Sequence, residues 1–367
     1  MRILHIINKL STGGAQSLVA ELAIGQVSIG HDVSILELMP APNDILFNRV
    51  IKGGVKVHTL RPLGNVYNPL VLFSIIPHLR GYDVIHVHLF PAQYWVAFAK
   101  FISSSNAHIV TTEHSTNNKR RHNRLWRIVD KFVYRQYDKI IACADKALEV
   151  FKSNYPTLNS CSVPNGIDTF KYWNAVPYPK ADFGMSEDDF MVTMVARFDY
   201  PKRQDTVIEA ISKLPNKFHA VFVGGVPEKE NARKCVALSK TLGVSDRIHF
   251  LYIRSDVPRI LKTSDAIVMS SEYEGLSLSS IEGMAGGKPF ISANVNGLKE
   301  IVNGAGLLFD CGDSDALARI LRSLSEDNLF YNDTVKKCLE RAKQYDIRET
   351  VINYDKIYKE GLNGCKN

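Results

Sequence analysis

Two cations in the middle of the sequence follow an apolar run and are suited to binding phosphate. Arg197 and Lys202 lie shortly after the run Phe190–Val195. A guanidinium binds phosphate oxygens as a two-pronged fork, whereas an ammonium acts as a compact point charge. Because ligands of parallel sheets bind at the carboxyl ends of the strands, we expect both side chains to reach one diphosphate. Two exposed surface cations are the alternative for the pair taken alone.

Carboxylates flank a predicted loop-to-helix junction further along the chain. Glu274 lies in the loop and Glu282 about two turns into the helix. Carboxylates accept hydrogen bonds from sugar and ribose hydroxyls, and the free N–H groups at a helix start attract a diphosphate. Gly275 permits close backbone approach to an anion, and the same turn continues through Leu276 and Ser277. A helix cap with solvated glutamates explains either carboxylate on its own.

A Gly-Gly pair and three histidines follow or end predicted strands in the first half. Gly13-Gly14 matches a dinucleotide-binding turn only weakly, so a simple backbone turn explains it equally well. His88 and His114 end two strands, where an imidazole can hydrogen-bond a sugar hydroxyl. The spacing His86-x-His88 is that of a metal pair, but the sequence offers no clear third ligand, and we predict no metal site.

Strands and helices alternate along the whole chain. β-branched runs between segments of helical period predict parallel sheets covered by helices on both faces. The pattern restarts near Phe190, after a Pro-, Gly- and Asn-rich stretch that begins at Pro164. We therefore predict an α/β protein with two Rossmann-like, doubly wound domains facing a cleft. The first domain covers 1–168 and the second 169–345, followed by a tail helix at about 346–361.

The individual elements follow from the same periodicities. The predicted strands are Ile3–Asn8, Asp32–Leu38, Val55–Leu60, Val84–His88, His108–Thr112, Lys139–Ala142, Ser162–Val163, Phe190–Val195, Ala220–Val223, Ile248–Phe250, Ala266–Met269 and Pro289–Ile291. The clearest predicted helices are Ala15–Ser28, Pro91–Phe101, Leu125–Tyr137, Gln204–Lys213, Glu230–Leu242, Val257–Thr263 and Leu278–Ala285.

Composition restricts the class of protein. The 367 residues are 45% hydrophobic and 23% charged, which is ordinary for a globular protein, and no apolar run is long enough to span a membrane. The six cysteines are scattered without a C-x-x-C pair. The apolar run at the N-terminus is too short for a signal peptide. We therefore expect a reducing, cytoplasmic location.

The basic surplus lies in the first half of the chain. Residues 1–170 contain 18 Lys and Arg against 11 Asp and Glu, which accounts for the whole net charge of +7. Such a surplus indicates an anionic partner or a solvated basic face. Cations crowd 119–127 around Leu125 and Trp126, so we predict peripheral attachment to the inner face of an anionic membrane, with a solvated loop as the alternative. The segment matches no nucleic-acid module, and we predict no nucleic-acid partner.

The motifs occur in an order that resembles the family 4 retaining glycosyltransferases (glycosyl transferases group 1) of the GT-B fold. The resemblance covers nearly the whole chain and is carried by Gly13-Gly14-Ala15, Thr112-x-His114, Pro164–Asp168, Arg197 with Lys202, and Glu274-x7-Glu282 followed by Gly287-Lys288-Pro289. Members often read Glu-Gly-Phe-Gly where this chain continues from Gly275 with Leu276-Ser277. Because Ser lacks the backbone freedom of Gly, the identity of the sugar does not carry over.

The resemblance implies a role for each matching residue. The Arg–Lys pair would hold the donor diphosphate, and Glu282 would contact the nucleotide ribose. Glu274 with the amides of Gly275–Ser277 would hold the transferred sugar, and His114 would lie beside it. The tail helix would cross back onto the first domain.

We accordingly predict retaining transfer of a hexose-type sugar from a UDP- or GDP-sugar to a glycan, lipid-linked glycan or polysaccharide precursor, without metal or cofactor. The Asp-x-Asp at Asp313–Asp315 opens a helical pattern, so we interpret it as a helix cap. Two alternatives are a nucleotide-sugar epimerase of the same fold and a non-catalytic protein that binds membrane surfaces. The predicted site residues are catalytic His114, Arg197, Lys202 and Glu274; donor-binding Gly13, Gly14, Arg197, Lys202, Tyr252, Ile253, Glu274, Gly275, Leu276, Ser277 and Glu282; and acceptor-side His88, Asn165, Arg120 and Arg121.

Overall fold

Each half of the chain is built around one parallel sheet. A computed structural model describes residues 1–11, 13–41, 45–61, 64–103, 107–114, 123–274 and 277–364. The chain divides into two compact units, Met1–Gly166 with Ile347–Asn367, and Ile167–Asp346. The division falls two residues before the predicted boundary at 168. Among the described residues, none of the helices has the length and apolar character needed to cross a membrane.

The first unit contains a seven-stranded sheet in the order β3-β2-β1-β4-β5-β6-β7, with all pairs parallel. Its strands are β1 (Arg2–Ile7), β2 (Asp32–Glu37), β3 (Lys56–Thr59), β4 (Val84–His88), β5 (His108–Glu113), β6 (Lys139–Ala142) and β7 (Ser160–Ser162). Its helices are α1 (Gly14–Ser28), α2 (Ile45–Lys52), α3 (Val71–Ile75), α4 (Ala92–Ser103), α5 (Arg124–Tyr134), α6 (Asp145–Asn154) and, from the end of the chain, α15 (Ile347–Gly364).

The second unit contains a six-stranded sheet in the order β10-β9-β8-β11-β12-β13, again parallel throughout. Its strands are β8 (Phe190–Val195), β9 (Phe218–Val223), β10 (Ile248–Tyr252), β11 (Ala266–Met269), β12 (Phe290–Ala293) and β13 (Leu307–Phe309). Its helices are α7 (Thr169–Trp173), α8 (Gln204–Ser212), α9 (Glu230–Thr241), α10 (Val257–Thr263), α11 (Leu278–Ala285), α12 (Lys299–Val302), α13 (Ser314–Glu326) and α14 (Asn328–Lys343).

The strand order reverses at one point in each sheet. The chain builds outward from β1 to β3, then returns to the other side of β1 with β4. The second sheet does the same between β8 and β11. Loops that leave the carboxyl ends of the two strands at such a switch point run in opposite directions and open a crevice for a ligand. The structure therefore has two places where side chains can gather, one in each unit.

The last helix packs within the first unit along one apolar stripe. Ile347, Val351, Tyr354 and Tyr358 are buried and recur at helical spacing. The stripe lies against α1, where a Cβ added to Gly25 would be 2.5 Å from a methyl group of Val351. Glycine at that position allows the two helices to approach closely.

Some predicted bounds differ from the observed ones. The seventh strand covers Ser160–Ser162 rather than Ser162–Val163, whereas α11 covers Leu278–Ala285 as predicted. The sequence did not indicate β13, because three residues carry too little periodicity. It also missed α14, whose buried positions are the small or polar residues Thr334, Cys338 and Ala342. Small residues four apart let helices approach closely but leave no apolar stripe to detect.

Candidate active site

The switch point of the second unit joins a cation and a carboxylate from two loops. Lys202 lies in the loop after β8, Glu274 in the loop after β11, and their Nζ and Oε1 atoms are 2.5 Å apart. The two side chains are 19% and 14% exposed, so solvent reaches both only in part. The Ser271 hydroxyl donates to the same Oε1 atom at 2.8 Å. Two residues 72 positions apart thus meet at the edge where the fold places ligands.

Backbone contacts hold these two loops together. The Glu272 amide donates to the Pro201 carbonyl at 2.8 Å, and the Ser270 hydroxyl donates to the Arg203 carbonyl at 2.7 Å. The Arg203 guanidinium donates to the Glu272 carboxylate at 3.2 Å. Its hydrogen bonds to Asp205 at 3.0 Å raise the pKa of Arg203. Sequence reasoning missed Arg203, although it follows Lys202 directly, because its role is to connect loops rather than to face a ligand.

Arg197 has a side chain that is far more exposed than that of Lys202. Its side chain is 78% exposed and has an ion pair with Asp199 at 3.3 Å. The Arg197 carbonyl accepts from the Gln204 side chain at 2.9 Å, which fixes the backbone while the guanidinium remains accessible. Because the guanidinium is exposed and its backbone is fixed, it can turn to bind a phosphate group at a small cost in free energy.

Two glycines that the sequence analysis did not select shape this loop. Gly224 and Gly225 follow β9 with φ values of +110° and +70°, a region that favours glycine. A Cβ at Gly224 would lie 2.7 Å from the Ala196 carbonyl oxygen, and one at Gly225 would lie 2.9 Å from the Phe198 amide nitrogen. A Gly-Gly pair directly after a strand, the same signal used for Gly13-Gly14, could have found them.

Tyr252 and Ile253 follow on the neighbouring strand. Tyr252 ends β10 with a φ of +52°, and its carbonyl accepts from the Gly224 amide at 2.5 Å. The Ile253 side chain is 66% exposed. Both residues therefore lie beside the glycine loop. Donor binding by these two residues stays a prediction.

The helix start predicted to bind an anion is the start of α11. Ser277 is the N-cap of α11, and its hydroxyl accepts from the Ser280 amide at 3.3 Å. Gly275 and Leu276 lie outside the described residues. Glu282 lies in the second turn of the helix and is half-buried. The Asp313 carboxylate accepts from the Ala316 amide at 2.8 Å, so this Asp-x-Asp caps a helix as predicted.

The Gly-Gly pair of the first unit opens α1. Gly13 is the N-cap in an extended conformation, and Gly14 is the first helical residue. A Cβ at Gly14 would meet nothing within 4 Å, and one at Gly13 would approach only the flexible end of Gln16. Local packing does not require glycine at Gly14, and donor binding by the pair stays a prediction.

The switch point of the first unit holds a cluster of buried imidazoles. His5 on β1 pairs in register with His86 on β4, and His88 ends the same strand. His5 Nδ1 and His88 Nε2 are 3.0 Å apart, and His88 Nδ1 and His114 Nε2 are 3.4 Å apart. Sequence reasoning missed His5 because it stands inside an apolar strand. A polar side chain in such a run is the informative exception.

His5 is also the third imidazole that the His86-x-His88 spacing lacked. Ring nitrogens of His5, His86 and His88 lie within 4.8 Å of one another. Each of these nitrogens already has a hydrogen-bond partner: Gln26 and His88 for His5, Tyr358 and Thr112 for His86, and His5 and His114 for His88. Hydrogen bonds thus satisfy the cluster, and metal independence stays a prediction.

Burial keeps these imidazoles neutral. Desolvation lowers the pKa of His5 to about 4 and that of His114 to about 4. Desolvation, reinforced by neighbouring imidazoles, holds the pKa values of His86 and His88 well below the usual range. A neutral imidazole has one N–H and one lone pair, so each ring can both donate and accept.

The predicted acceptor-side residues are only partly described. Both ring nitrogens of His88 are hydrogen-bonded to other imidazoles, one to His5 and the other to His114. This arrangement favours an indirect role for His88 over direct contact with a ligand. Asn165 is buried, and its Oδ1 atom has no hydrogen-bond partner among the described residues. Arg120 and Arg121 lie outside those residues.

Comparisons with known proteins agree on one class of enzyme. Residues 12–171 match the model for Glycosyltransferase Family 4, and residues 180–345 match that for Glycosyl transferases group 1. N-acetyl-alpha-D-glucosaminyl L-malate synthase of Bacillus anthracis is 28% identical over 379 residues, covering 97% of this chain and 96% of the relative. UDP-Gal:alpha-D-GlcNAc-diphosphoundecaprenol alpha-1,3-galactosyltransferase of Escherichia coli is 28% identical over 209 residues, covering 53% of this chain and 52% of the relative.

A solved structure supports the fold. Anabaena HepE, in complex with UDP and glucose, aligns with a TM-score of 0.82 at 20% identity, covering 98% of this chain and 100% of that one. The fold is that of the GT-B glycosyltransferases. Because the matching families and relatives are glycosyltransferases, the epimerase alternative is not favoured. The chain therefore belongs to the glycosyltransferases, with a family 4 region in its first half and a group 1 region in its second.

Proposed function

We propose that this glycosyltransferase moves a hexose from a UDP- or GDP-sugar with retention of configuration and without a metal ion. The observation that carries the proposal is the Lys202–Glu274 pair at 2.5 Å, formed by loops after adjacent strands of the second sheet. Nucleotides bind at such switch points, where a cation can pair with the diphosphate and a carboxylate can accept hydrogen bonds from the sugar hydroxyls. The pair supplies one of each.

The positive groups near this pair suit the departing diphosphate. Transfer breaks the bond between sugar C1 and phosphate oxygen and leaves negative charge on the phosphate. Lys202, the exposed Arg197 guanidinium and the start of α11 would stabilise that charge in place of a divalent cation. Glu274 would exchange its contact with Lys202 for a sugar hydroxyl. The departing phosphate oxygen would take the proton of the acceptor hydroxyl, whose oxygen bonds to C1 from the same face.

The acceptor we propose is a lipid-linked glycan. The Escherichia coli relative, by its name, uses a GlcNAc-diphosphoundecaprenol acceptor, and a lipid-linked acceptor is reached at a membrane surface. We propose that the enzyme works in the cytoplasm, attached peripherally to the inner face of the membrane.

We propose that exposed apolar side chains of the first unit make this attachment. The helices α3 and α5 both pack against α4, and the three helices expose large apolar side chains. Phe73, Phe101 and Ile128 are 58%, 62% and 69% exposed, and Trp126 is 41% exposed next to the exposed Arg127. Apolar side chains beside a cation are typical of proteins that lie on an anionic bilayer. Of the predicted basic segment, 119–122 lies outside the described residues.

The transfer reaction is tested with the full chain, a panel of UDP- and GDP-hexoses and a short-chain lipid diphosphate sugar, in the presence of EDTA. We expect one donor to be consumed only when acceptor is present, and NMR of the product to show the anomeric configuration of the donor. An inverted product would overturn retention, and strict dependence on magnesium or manganese would overturn metal independence. Turnover of donor without acceptor would instead indicate isomerase or hydrolase chemistry.

Membrane attachment is tested by sedimentation with phosphatidylglycerol vesicles at low salt. We expect the wild-type chain to pellet and the double variant Phe101→Ser/Ile128→Ser to stay in the supernatant. Leu329→Ser is the matched control, since that side chain is 84% exposed in the second unit. A wild-type chain that stays in the supernatant, or three proteins that pellet alike, would exclude this surface.

A further inference from the structure

A continuous chain of hydrogen bonds leads from a buried amide to His114. Gln26 Oε1 is 2.7 Å from His5 Nε2, and His5 Nδ1 is 3.0 Å from His88 Nε2. The last link, between His88 Nδ1 and His114 Nε2, is 3.4 Å long. At its end, His114 Nδ1 is buried and has no hydrogen-bond partner among the described residues. The links come from α1, β1, β4 and the residue after β5.

The chain has a definite direction. An amide oxygen can only accept, so His5 Nε2 bears the proton and His5 Nδ1 is an acceptor. His88 must then donate from Nε2 and accept at Nδ1, since a neutral imidazole has a single N–H. The same reasoning places the His114 proton on Nε2 and leaves a lone pair on Nδ1.

A second set of bonds leads from the same amide and changes direction together with the first. Gln26 Nε2 donates to the Tyr358 hydroxyl at 3.5 Å, and that hydroxyl is 2.7 Å from His86 Nδ1. His86 Nε2 in turn is 2.7 Å from the Thr112 hydroxyl. Turning the Gln26 amide around would reverse both sets of bonds and leave an unpaired N–H on His114. Among buried backbone groups, unpaired N–H donors are rarer than unpaired acceptors; applied to the His114 ring, the same preference favours the direction with a free lone pair.

We propose that His5 and His88 are positioning residues that hold His114 in its Nε2–H tautomer, so that the Nδ1 lone pair accepts a hydrogen bond from a sugar hydroxyl of a substrate. This role rests on the proposed transfer reaction, whereas the tautomer itself does not. A buried polar atom without a partner calls for an explanation, and a ligand hydroxyl supplies one. His88, which the sequence placed in contact with the acceptor, acts here through His114.

The tautomer is measured by NMR on the full chain labelled with 15N-histidine, without substrate. Nitrogen chemical shifts distinguish an N–H from a bare lone pair. At neutral pH we expect His114 Nε2 to be protonated and His114 Nδ1 to be bare. A wild-type protein in which His114 Nδ1 is protonated would overturn the proposal, whether or not any variant folds.

The variant His88→Phe removes the acceptor of the His114 N–H. We expect a mixture of His114 tautomers and a kcat lowered about five- to tenfold, the usual worth of one hydrogen bond, with KM for the nucleotide sugar changed by less than about twofold. His86→Phe is the matched control, because His86 is equally buried and neighbours His88 but bonds to Tyr358 and Thr112 instead. We expect His86→Phe to lose about as much thermal stability as His88→Phe and to keep the nitrogen chemical shifts of His114 seen in the wild-type protein.

Three results decide the matter. An unchanged His114 tautomer in His88→Phe, or equal losses of kcat in both variants, would contradict the positioning role. A wild-type chain that transfers no sugar from any donor would overturn the proposed function and leave the NMR result standing.

Discussion

The two switch points of this enzyme gather different kinds of side chain. In the second unit, the loops after β8 and β11 are joined by ion pairs, Lys202 with Glu274 at 2.5 Å and Arg203 with Glu272 at 3.2 Å. In the first unit, the strands β1 and β4 contribute imidazoles that are fully buried and bonded in series. Charge dominates one site, and neutral hydrogen bonds dominate the other.

The difference indicates a division of labour. Partly exposed ion pairs can exchange a carboxylate for a phosphate without leaving any charge buried and unpaired. Buried neutral imidazoles cannot neutralise an anion, but their tautomers are fixed and they can orient a single proton. We therefore expect substitutions in the second unit to act on charge stabilisation, and substitutions in the first unit to act on proton placement and acid stability.

The largest effect is expected for Lys202→Ala. If Lys202 stabilises the departing phosphate as we propose, its removal should lower kcat by a factor of about a hundred to a thousand, as for the loss of one oxyanion donor. Lys213→Ala is the matched control, since Lys213 has an ion pair with Asp315 at 2.8 Å elsewhere in the same unit. Steady-state rates at saturating donor measure the difference. Nearly normal turnover in Lys202→Ala would show that Lys202 does not stabilise the charge of the departing phosphate.

The second effect concerns acid stability of the first unit. Burial lowers the pKa of His5 from 6.5 to about 4, so the unfolded chain binds more protons than the folded one between these values. The free energy of unfolding is therefore fully retained above pH 6.5 and falls as the pH drops toward 4, by about 3 kcal/mol for His5 alone. Denaturant unfolding at several pH values should give a shallower slope for His5→Phe. Parallel pH curves for the two proteins would show that His5 does not titrate in this way.

A smaller effect is expected for Arg197→Lys. The charge is kept but the bidentate fork is lost, so kcat/KM should fall about tenfold. Because the Arg197 side chain is 78% exposed and its ion pair with Asp199 is 3.3 Å long, folding should be unaffected. Thermal unfolding provides that control. A variant as active as wild type would indicate that Arg197 does not contact the diphosphate.

No change is expected when divalent cations are removed. The proposed leaving-group stabilisation uses Lys202, Arg197 and the start of α11, so dialysis against EDTA should leave the transfer rate as it was. The comparison of rates before and after readdition of magnesium or manganese measures this. A rate that is restored only by adding metal would show that a metal ion, rather than these residues, stabilises the leaving group.

Much of the second unit could be predicted because its chemistry follows the strands closely in sequence. The run Phe190–Val195 and its cations Arg197 and Lys202 stand together, and the structure places β8 at that run. The first unit could not be predicted to the same depth. His5 meets His88 across 83 positions of sequence, and no local pattern encodes that register.

The glycine loop shows a related limit. Gly224 and Gly225 leave no room for a side chain because the backbone of the loop that contains Arg197 passes close by. The Gly-Gly pair itself is visible in the sequence, but the packing of two loops from neighbouring strands, which requires it, is not. The sequence predicts where a strand ends and which residue type stands there. Which residue of another strand lies beside it is known only from the fold.

Calorimetric titration of nucleotides is the most direct test of the central claim, that cations at the switch point of the second unit hold a nucleoside diphosphate. The full chain would be titrated with UDP and with GDP in EDTA, beside the double variant Arg197→Ala/Lys202→Ala. We predict that one nucleotide binds the wild-type chain with one-to-one stoichiometry and that the variant binds it about a hundredfold more weakly. Equal affinity in both proteins, or no binding of either nucleotide at millimolar concentration, would contradict the account.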